Sequence, residues 1–195
     1  MNATLILLLL LPPAPTADAD KHLIRPKMGF PEAMKPYEGL AYDYSGHVDA
    51  TGKVIGKGLG CSAFTSIVLH RMRDGDDWLK HYDTEVFQWY GDRAATHFGL
   101  TKAGAFLAEE LLDAKKTLAL IEAGRLKPGT LYLFNARKHE QGHVGFTRLL
   151  RDGKLEQAHF SSMTKGLYRG DFREWLQRSM YRDKATIEFF VIPEP

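Results

Sequence analysis

The hydrophobic pattern changes period part-way along the chain. Before Gly124 apolar residues recur mostly at helical spacing; after it they fall in short blocks bounded by turn residues. Ser62 to Met72 places Ala63, Phe64, Ile67, Val68 and Arg71 at helical spacing, and Asp74-Gly75-Asp76-Asp77 ends the run. Trp78 to Trp89 is rich in aromatics and predicts one or two short helices. Leu100 to Ala123 is the longest periodic segment. Ala105, Phe106, Leu112, Leu118 and Ile121 lie near one face, and Glu109, Lys115 and Lys116 near another. One helix is expected there, capped by Thr101 and stopped at Gly124.

After Leu126-Lys127-Pro128-Gly129, a turn, the pattern predicts strands. Thr130 to Asn135 is the first, and Ala136 to Gln141 reads as polar loop. His143 to Leu150 and Leu155 to Phe160 are the arms of a hairpin turning at Asp152-Gly153. Phe172 to Met180 is a helix capped by Asp171, and Ala185 to Ile192 a last strand. Upstream, residues 20–38 carry Pro26, Pro31 and Pro36 and read as an extended arm with a short helix around Glu32 to Lys35. Leu40 to Gly46 suggests a short strand, and His47 to Leu59 a loop feeding Cys61. Helices first and an antiparallel sheet afterwards make an α+β plan, with one domain over residues 39–195.

Composition adds an address. Leu5 to Leu11 is an apolar run too short to span a bilayer, and Ala17-Asp18-Ala19 offers a small-x-small cleavage site. Residues 1–19 therefore read as a signal peptide, and the mature protein as secreted or periplasmic, with no membrane association after cleavage. The formal net charge is +2, with both signs mixed along the chain. That lacks the clustered basic footprint of a nucleic-acid binder. An exported chain with a single cysteine has no internal disulfide to make, which leaves an intermolecular partner or a reactive thiol.

That cysteine is Cys61, in Gly58-Leu59-Gly60-Cys61-Ser62-Ala63-Phe64 at the start of a predicted helix. The helix macrodipole and unpaired first-turn N–H groups are expected to lower its pKa and to hold a developing oxyanion, with Ser62 the next residue of that turn. The plainer alternative is a small buried cysteine packing as a hydrophobe. A thiol nucleophile needs a base, and the base a third group to orient it. His143 opens a strand after a polar loop, and His159 lies on the next strand, where it can orient His143.

Leu126-Lys127-Pro128-Gly129-Thr130-Leu131-Tyr132-Leu133-Phe134, then Gly142-His143-Val144-Gly145-Phe146, resembles the NlpC-type family of cell-wall cysteine peptidases. Cys61-Ser62-Ala63-Phe64 resembles that family's Asp-Cys-Ser-Gly-aliphatic motif, with Gly60 in place of the Asp, Ala63 in place of the Gly and Thr130 in place of the Asp after Pro-Gly. The resemblance spans residues 38–192. It implies a papain-like α+β fold, a Cys61–His143–His159 triad, help at the oxyanion from Tyr44, no cofactor, and peptide or amide bonds of peptidoglycan as substrate. A thioester acyltransferase or a non-catalytic wall-binding module on the same fold are the related alternatives.

His139-Glu140-Gln141-Gly142-His143 also matches the zinc metalloprotease pattern H-E-x-x-H, which needs a helix to place both imidazoles on one face. The strand-like Leu131 to Phe134 before it and the poor helix former Gly142 argue against that context. Asp74, Asp76 and Asp77 lack the glutamate that closes a calcium loop. Trp78, Phe87, Trp89 and Tyr90 are core residues or, if they flank the cleft, a substrate groove.

Overall fold

The computed structural model describes residues 24–82 and 91–195. The signal-peptide reading at residues 1–19 falls outside them, as do Phe87, Trp89 and Tyr90. The elements in chain order are α1 (Phe30–Met34), β1 (Ala41–Tyr42), β2 (His47–Val48), β3 (Val54–Ile55), β4 (Gly58–Leu59), α2 (Cys61–Asp74), α3 (Gly91–His97), β5 (Thr101–Leu107), α4 (Ala108–Leu112), α5 (Ala114–Glu122), β6 (Leu131–Lys138), β7 (Gln141–Leu149), β8 (Leu155–Ser161), β9 (Gly166–Asp171), α6 (Phe172–Arg178) and β10 (Thr186–Ile192).

Among the described residues, eight strands form one sheet in the order β4-β1-β9-β8-β7-β6-β10-β5, and β2 and β3 form a separate hairpin. The pairs are antiparallel except β1 with β4. The arrangement is α+β, as the sequence predicts. No helix among the described residues is long and apolar enough to cross a membrane.

Both faces of the central strands are covered. Leu131, Leu133, Val144, Phe146 and Phe160 pack into one core with α1, α2 and α3. Tyr132, Phe134, Leu149, Leu155 and Phe189 pack into a second with α4 and α6. Two-sided burial explains why β6 opens as an apolar run instead of alternating. Helix α2 is buried nearly all round, from Ala63 and Phe64 to Leu69 and Met72, because the 24–37 segment closes over its other side. Each large apolar side chain so buried contributes about 1.5–3 kcal/mol. The Arg71 guanidinium donates to the Ala33 carbonyl, and the N–H groups of Lys27 and Met28 to the Met72 carbonyl. What the sequence presented as an extended arm is thus part of the core, with Ile24, Met28, Phe30, Ala33 and Met34 buried.

The long helix expected from Leu100 to Ala123 does not form. Thr101–Leu107 is the edge strand β5, paired with β10. Gly104 disfavours a helix there, and the Phe106 ring lies over it, 2.6 Å from where a Cβ would stand. Asp113 is a cap instead of a helix interior: its carboxylate accepts from the N–H groups of Lys115 and Lys116, which separates α4 from α5. Thr101 caps nothing, while Gly124 does follow α5 with φ of 69°. Asp171 caps α6 as expected. Strand β9 had no counterpart in the sequence reading, and Ala136 to Lys138, read as loop, extend β6.

The short strands before α2 are held by close backbone approach. A Cβ on Gly58 would stand 1.7 Å from the Ala41 carbonyl oxygen, and one on Gly46 2.1 Å from that of Gly58. Gly58→Ala is therefore expected to lower stability by at least about 1–3 kcal/mol. Gly29→Ala, whose Cβ meets nothing closer than 3.9 Å, should cost under about 1 kcal/mol. Urea titration of both variants checks this, and equal midpoints would disprove the packing.

Candidate active site

Cys61 is the first residue of α2, delivered by β4 and preceded by Gly60, which offers no side-chain cap. The uncapped first-turn donors remain free for other acceptors. Here they lie toward sulfur: the backbone N–H groups of Val144, Ser62 and Cys61 itself favour the charged form of the Cys61 thiol, in that order. Gly60 is a steric requirement, since its Cβ would lie 2.9 Å from the Tyr44 carbonyl and 3.2 Å from that of Asp43. The aspartate that the resembled motif carries has no room at this point.

The Val144 contact shows how the site is assembled. Strands β7 and β8 are paired from Leu149↔Leu155 to Phe146↔Ala158, and no further. Beyond that point β8 continues with β9 alone, to Ser161↔Gly166. The two strands separate, and the Val144 N–H of β7 lies toward the thiol at the start of α2. His143 sits beside Val144 at this split. Its Nε2 is hydrogen-bonded to His159 Nδ1, and the ring centroids are 4.6 Å apart at 79°. The two histidines are diagonal neighbours, not directly opposed. Gly145 makes the diagonal possible: its Cβ would stand 2.5 Å from the His159 Cβ and 2.8 Å from the Phe134 ring.

The imidazoles are enclosed by aromatics. Trp175 lies 5.3 Å from His143 and 4.9 Å from His159, and Tyr181 stacks on His143 at 6.1 Å and 29°. This burial pushes the His143 pKa down to about 4. His159 is likewise lowered well below its ordinary value, by burial first and then by the adjacent His143. The Cys61 thiol is raised by burial, which the three N–H contacts only partly offset. The expectation that the helix start would leave a ready thiolate is thus corrected: desolvation outweighs the dipole, and the resting pair is thiol and neutral imidazole. With His143 Nε2 engaged, Nδ1 is the remaining ring nitrogen. If Nδ1 accepts a proton, Nε2 must donate to His159 Nδ1, and the His159 proton then sits on Nε2, a buried atom without a hydrogen-bond partner among the described residues.

Cys61 and His143 border one cavity of about 660 Å³, with Tyr42, Tyr44, Glu140, Ser161, Met163, Trp175, Arg178, Met180 and Tyr181 also on its wall. Cys61 is thus buried but not sealed. Tyr44, the expected oxyanion residue, is 80% exposed at the rim. Tyr42 is the nearer phenol: burial first, then Cys61, Tyr44 and Asp43, push it up to about 12. It therefore remains a hydroxyl donor. Its sequence signal is the i, i+2 pair of tyrosines, Tyr42 and Tyr44, both of which stand on the cavity wall. Asp43 fixes this loop by accepting from the Ser45 and Lys57 N–H groups. Ser62 meets the sulfur through its backbone and is not on the cavity wall. Another cavity, about 700 Å³ beside α1, contains neither cysteine nor histidine, and its Arg148 and Arg169 are paired with Glu194 and Glu38.

The zinc pattern does not assemble. His139 and Glu140 form the tight turn between β6 and β7, His139 with φ of 54°, and Lys138 pairs with Gln141. Both are exposed, while His143 points into the aromatic enclosure. No group of three or more histidine, cysteine or acidic side chains suited to a metal occurs among the described residues. Comparison with protein-family models finds no match to this chain, and comparison with curated proteins finds none either.

Two outcomes follow from this geometry. Gly145→Ala should separate the histidines and lower stability by about 1–3 kcal/mol. Imidazole nitrogen NMR reads the His143–His159 bond directly, and an unchanged spectrum would contradict the account. Buried neutral histidines also set the acid limb of stability. Between the ordinary value of 6.5 and about 4, an unfolded chain takes up a proton that folded His143 refuses. Acid therefore favours unfolding, by up to about 1.4 kcal/mol per pH unit from this residue. His70, lowered to about 3 chiefly by burial, adds to the slope. Urea midpoints from pH 7 to 4.5 should fall for the wild type and fall less steeply for His143→Gln.

Proposed function

We propose that this protein is an exported, papain-like cysteine hydrolase that cleaves amide bonds through Cys61, His143 and His159. The observation that carries the reading is the split between β7 and β8, where the chain's one cysteine and His143, itself bonded to the buried His159, meet at a cavity wall. The resemblance to NlpC-type peptidases supports it and points to peptide or amide bonds of peptidoglycan.

In the mechanism, Cys61 Sγ attacks the amide carbonyl carbon while His143 Nδ1 takes the thiol proton. His159 Nδ1 accepts from His143 Nε2–H and stabilises the imidazolium as it forms. The first-turn N–H groups of α2 and the Tyr42 hydroxyl are the donors at hand for the oxyanion. Collapse breaks the C–N bond, and the leaving amine takes the proton from His143. Water then attacks the thioester, giving its proton to His143, and the released sulfur regains it. A neutral imidazole is the competent form for the first step, which the depressed His143 pKa ensures at neutral pH.

Digestion of purified peptidoglycan, with mass spectrometry of the fragments, tests the reading. Cys61→Ala is expected to abolish cleavage, by at least about 10³-fold, and His143→Ala by about 10²–10⁴-fold. Both should retain the circular dichroism spectrum of the wild type. Full activity in folded Cys61→Ala would overturn the assignment.

A further inference from the structure

Six large apolar side chains among the described residues are exposed, and three of them, Tyr44, Met163 and Met180, stand on the wall of the Cys61 cavity. They come from three separate loops: Tyr44 follows β1, Met163 joins β8 to β9, and Met180 joins α6 to β10. Scattered exposed apolar residues are ordinary, but their convergence on one mouth is not. The loops are also held. Ser161 Oγ accepts from the Met163 N–H, and Lys138 Nζ donates to the Met180 carbonyl at 2.9 Å. Two methionines and a tyrosine so placed make an adaptable apolar collar.

The charges at the mouth agree. Arg178 is engaged by Glu174 at 2.9 Å, so its charge is already partly balanced. Glu140 adds a carboxylate to the same wall. An acidic substrate would find an occupied cation and a like charge, while an apolar group would cover Tyr44, Met163 and Met180.

We infer that the site selects amides carrying a large apolar group beside the scissile carbonyl, an acyl chain or a bulky apolar side chain, over amides flanked by small or acidic groups. This rests on the acyl-transfer reading of Cys61 and narrows its substrate.

Alkylation of Cys61 by iodoacetamide, N-hexyl-iodoacetamide and iodoacetate, each normalised to its rate with glutathione and followed by mass spectrometry of the intact protein, separates the two. The hexyl reagent should react about tenfold faster than iodoacetamide, from partial burial of its chain, and iodoacetate more slowly than either. In the exposed double variant Met163→Gln/Met180→Gln the ratio of the hexyl rate to the iodoacetamide rate should fall to within about twofold. Equal normalised rates for all three reagents in the wild type would overturn the inference and leave the nucleophile standing. A folded Cys61 unreactive to every reagent would overturn the acyl-transfer reading and the inference with it.

Discussion

Strand β7 parts from β8 beyond Phe146, and the Val144 backbone amide lies toward the Cys61 thiol at that point. An opening between two central strands is stable only if something fills it. Cys61 does, and in doing so ties the start of α2 to the strand that carries His143. The buried length of α2 then acts as an anchor. With Phe64, Ile67 and Leu69 packed between the sheet and the 24–37 segment, the helix cannot slide along its axis without opening the core. The position of the sulfur is therefore set by packing well away from it.

The same packing fixes the electrostatics. Trp175, Tyr181 and Phe134 remove water from the imidazoles and hold them neutral. The thiol is disfavoured as an anion for the same reason. Burial thus pushes acid and base in the direction that prevents a resting ion pair. In the proposed reaction, proton transfer is therefore coupled to attack on the substrate, where charge moves directly from sulfur to a carbonyl oxygen facing the first turn of α2. Basicity is sacrificed for orientation, since the enclosing rings also determine which nitrogen of His143 remains free.

Much of this was legible in the residues. The helix after Cys61, the β7–β8 hairpin at Asp152-Gly153 and the Asp171 cap each follow from local chemistry, and that hairpin puts His143 and His159 on neighbouring strands. Less legible were features in which tertiary pairing overrides periodicity. Thr101 to Leu107 contains residues at helical spacing, yet it is held as a strand by β10, an element about eighty residues later. Asp113 looks like one more polar position on a helix until the chain turns there. The thiol's environment is not legible at the helix start, because a helix dipole is a local property, whereas desolvation depends on everything packed around α2. Tyr42 and Tyr44 both fit the alternation of a strand, and only pairing of β1 with β4 and β9 distinguishes the half-buried ring from the exposed one.

The glycines link these points. Gly46, Gly58 and Gly60 let the loop bearing Tyr42 press against the strand that delivers Cys61, and Gly145 lets His159 lean beneath His143. A methyl group at any of the four would displace the backbone that carries Tyr42 and Cys61, or the His159 side chain. This accounts for one departure from the motif the chain resembles, Gly60. An aspartate before the cysteine would supply a cap and a charge, but here the Tyr44 carbonyl occupies its place. The first-turn donors are consequently left to the sulfur and, in the proposed reaction, to the oxyanion, so a steric constraint on one glycine becomes an electrostatic property of the neighbouring thiol.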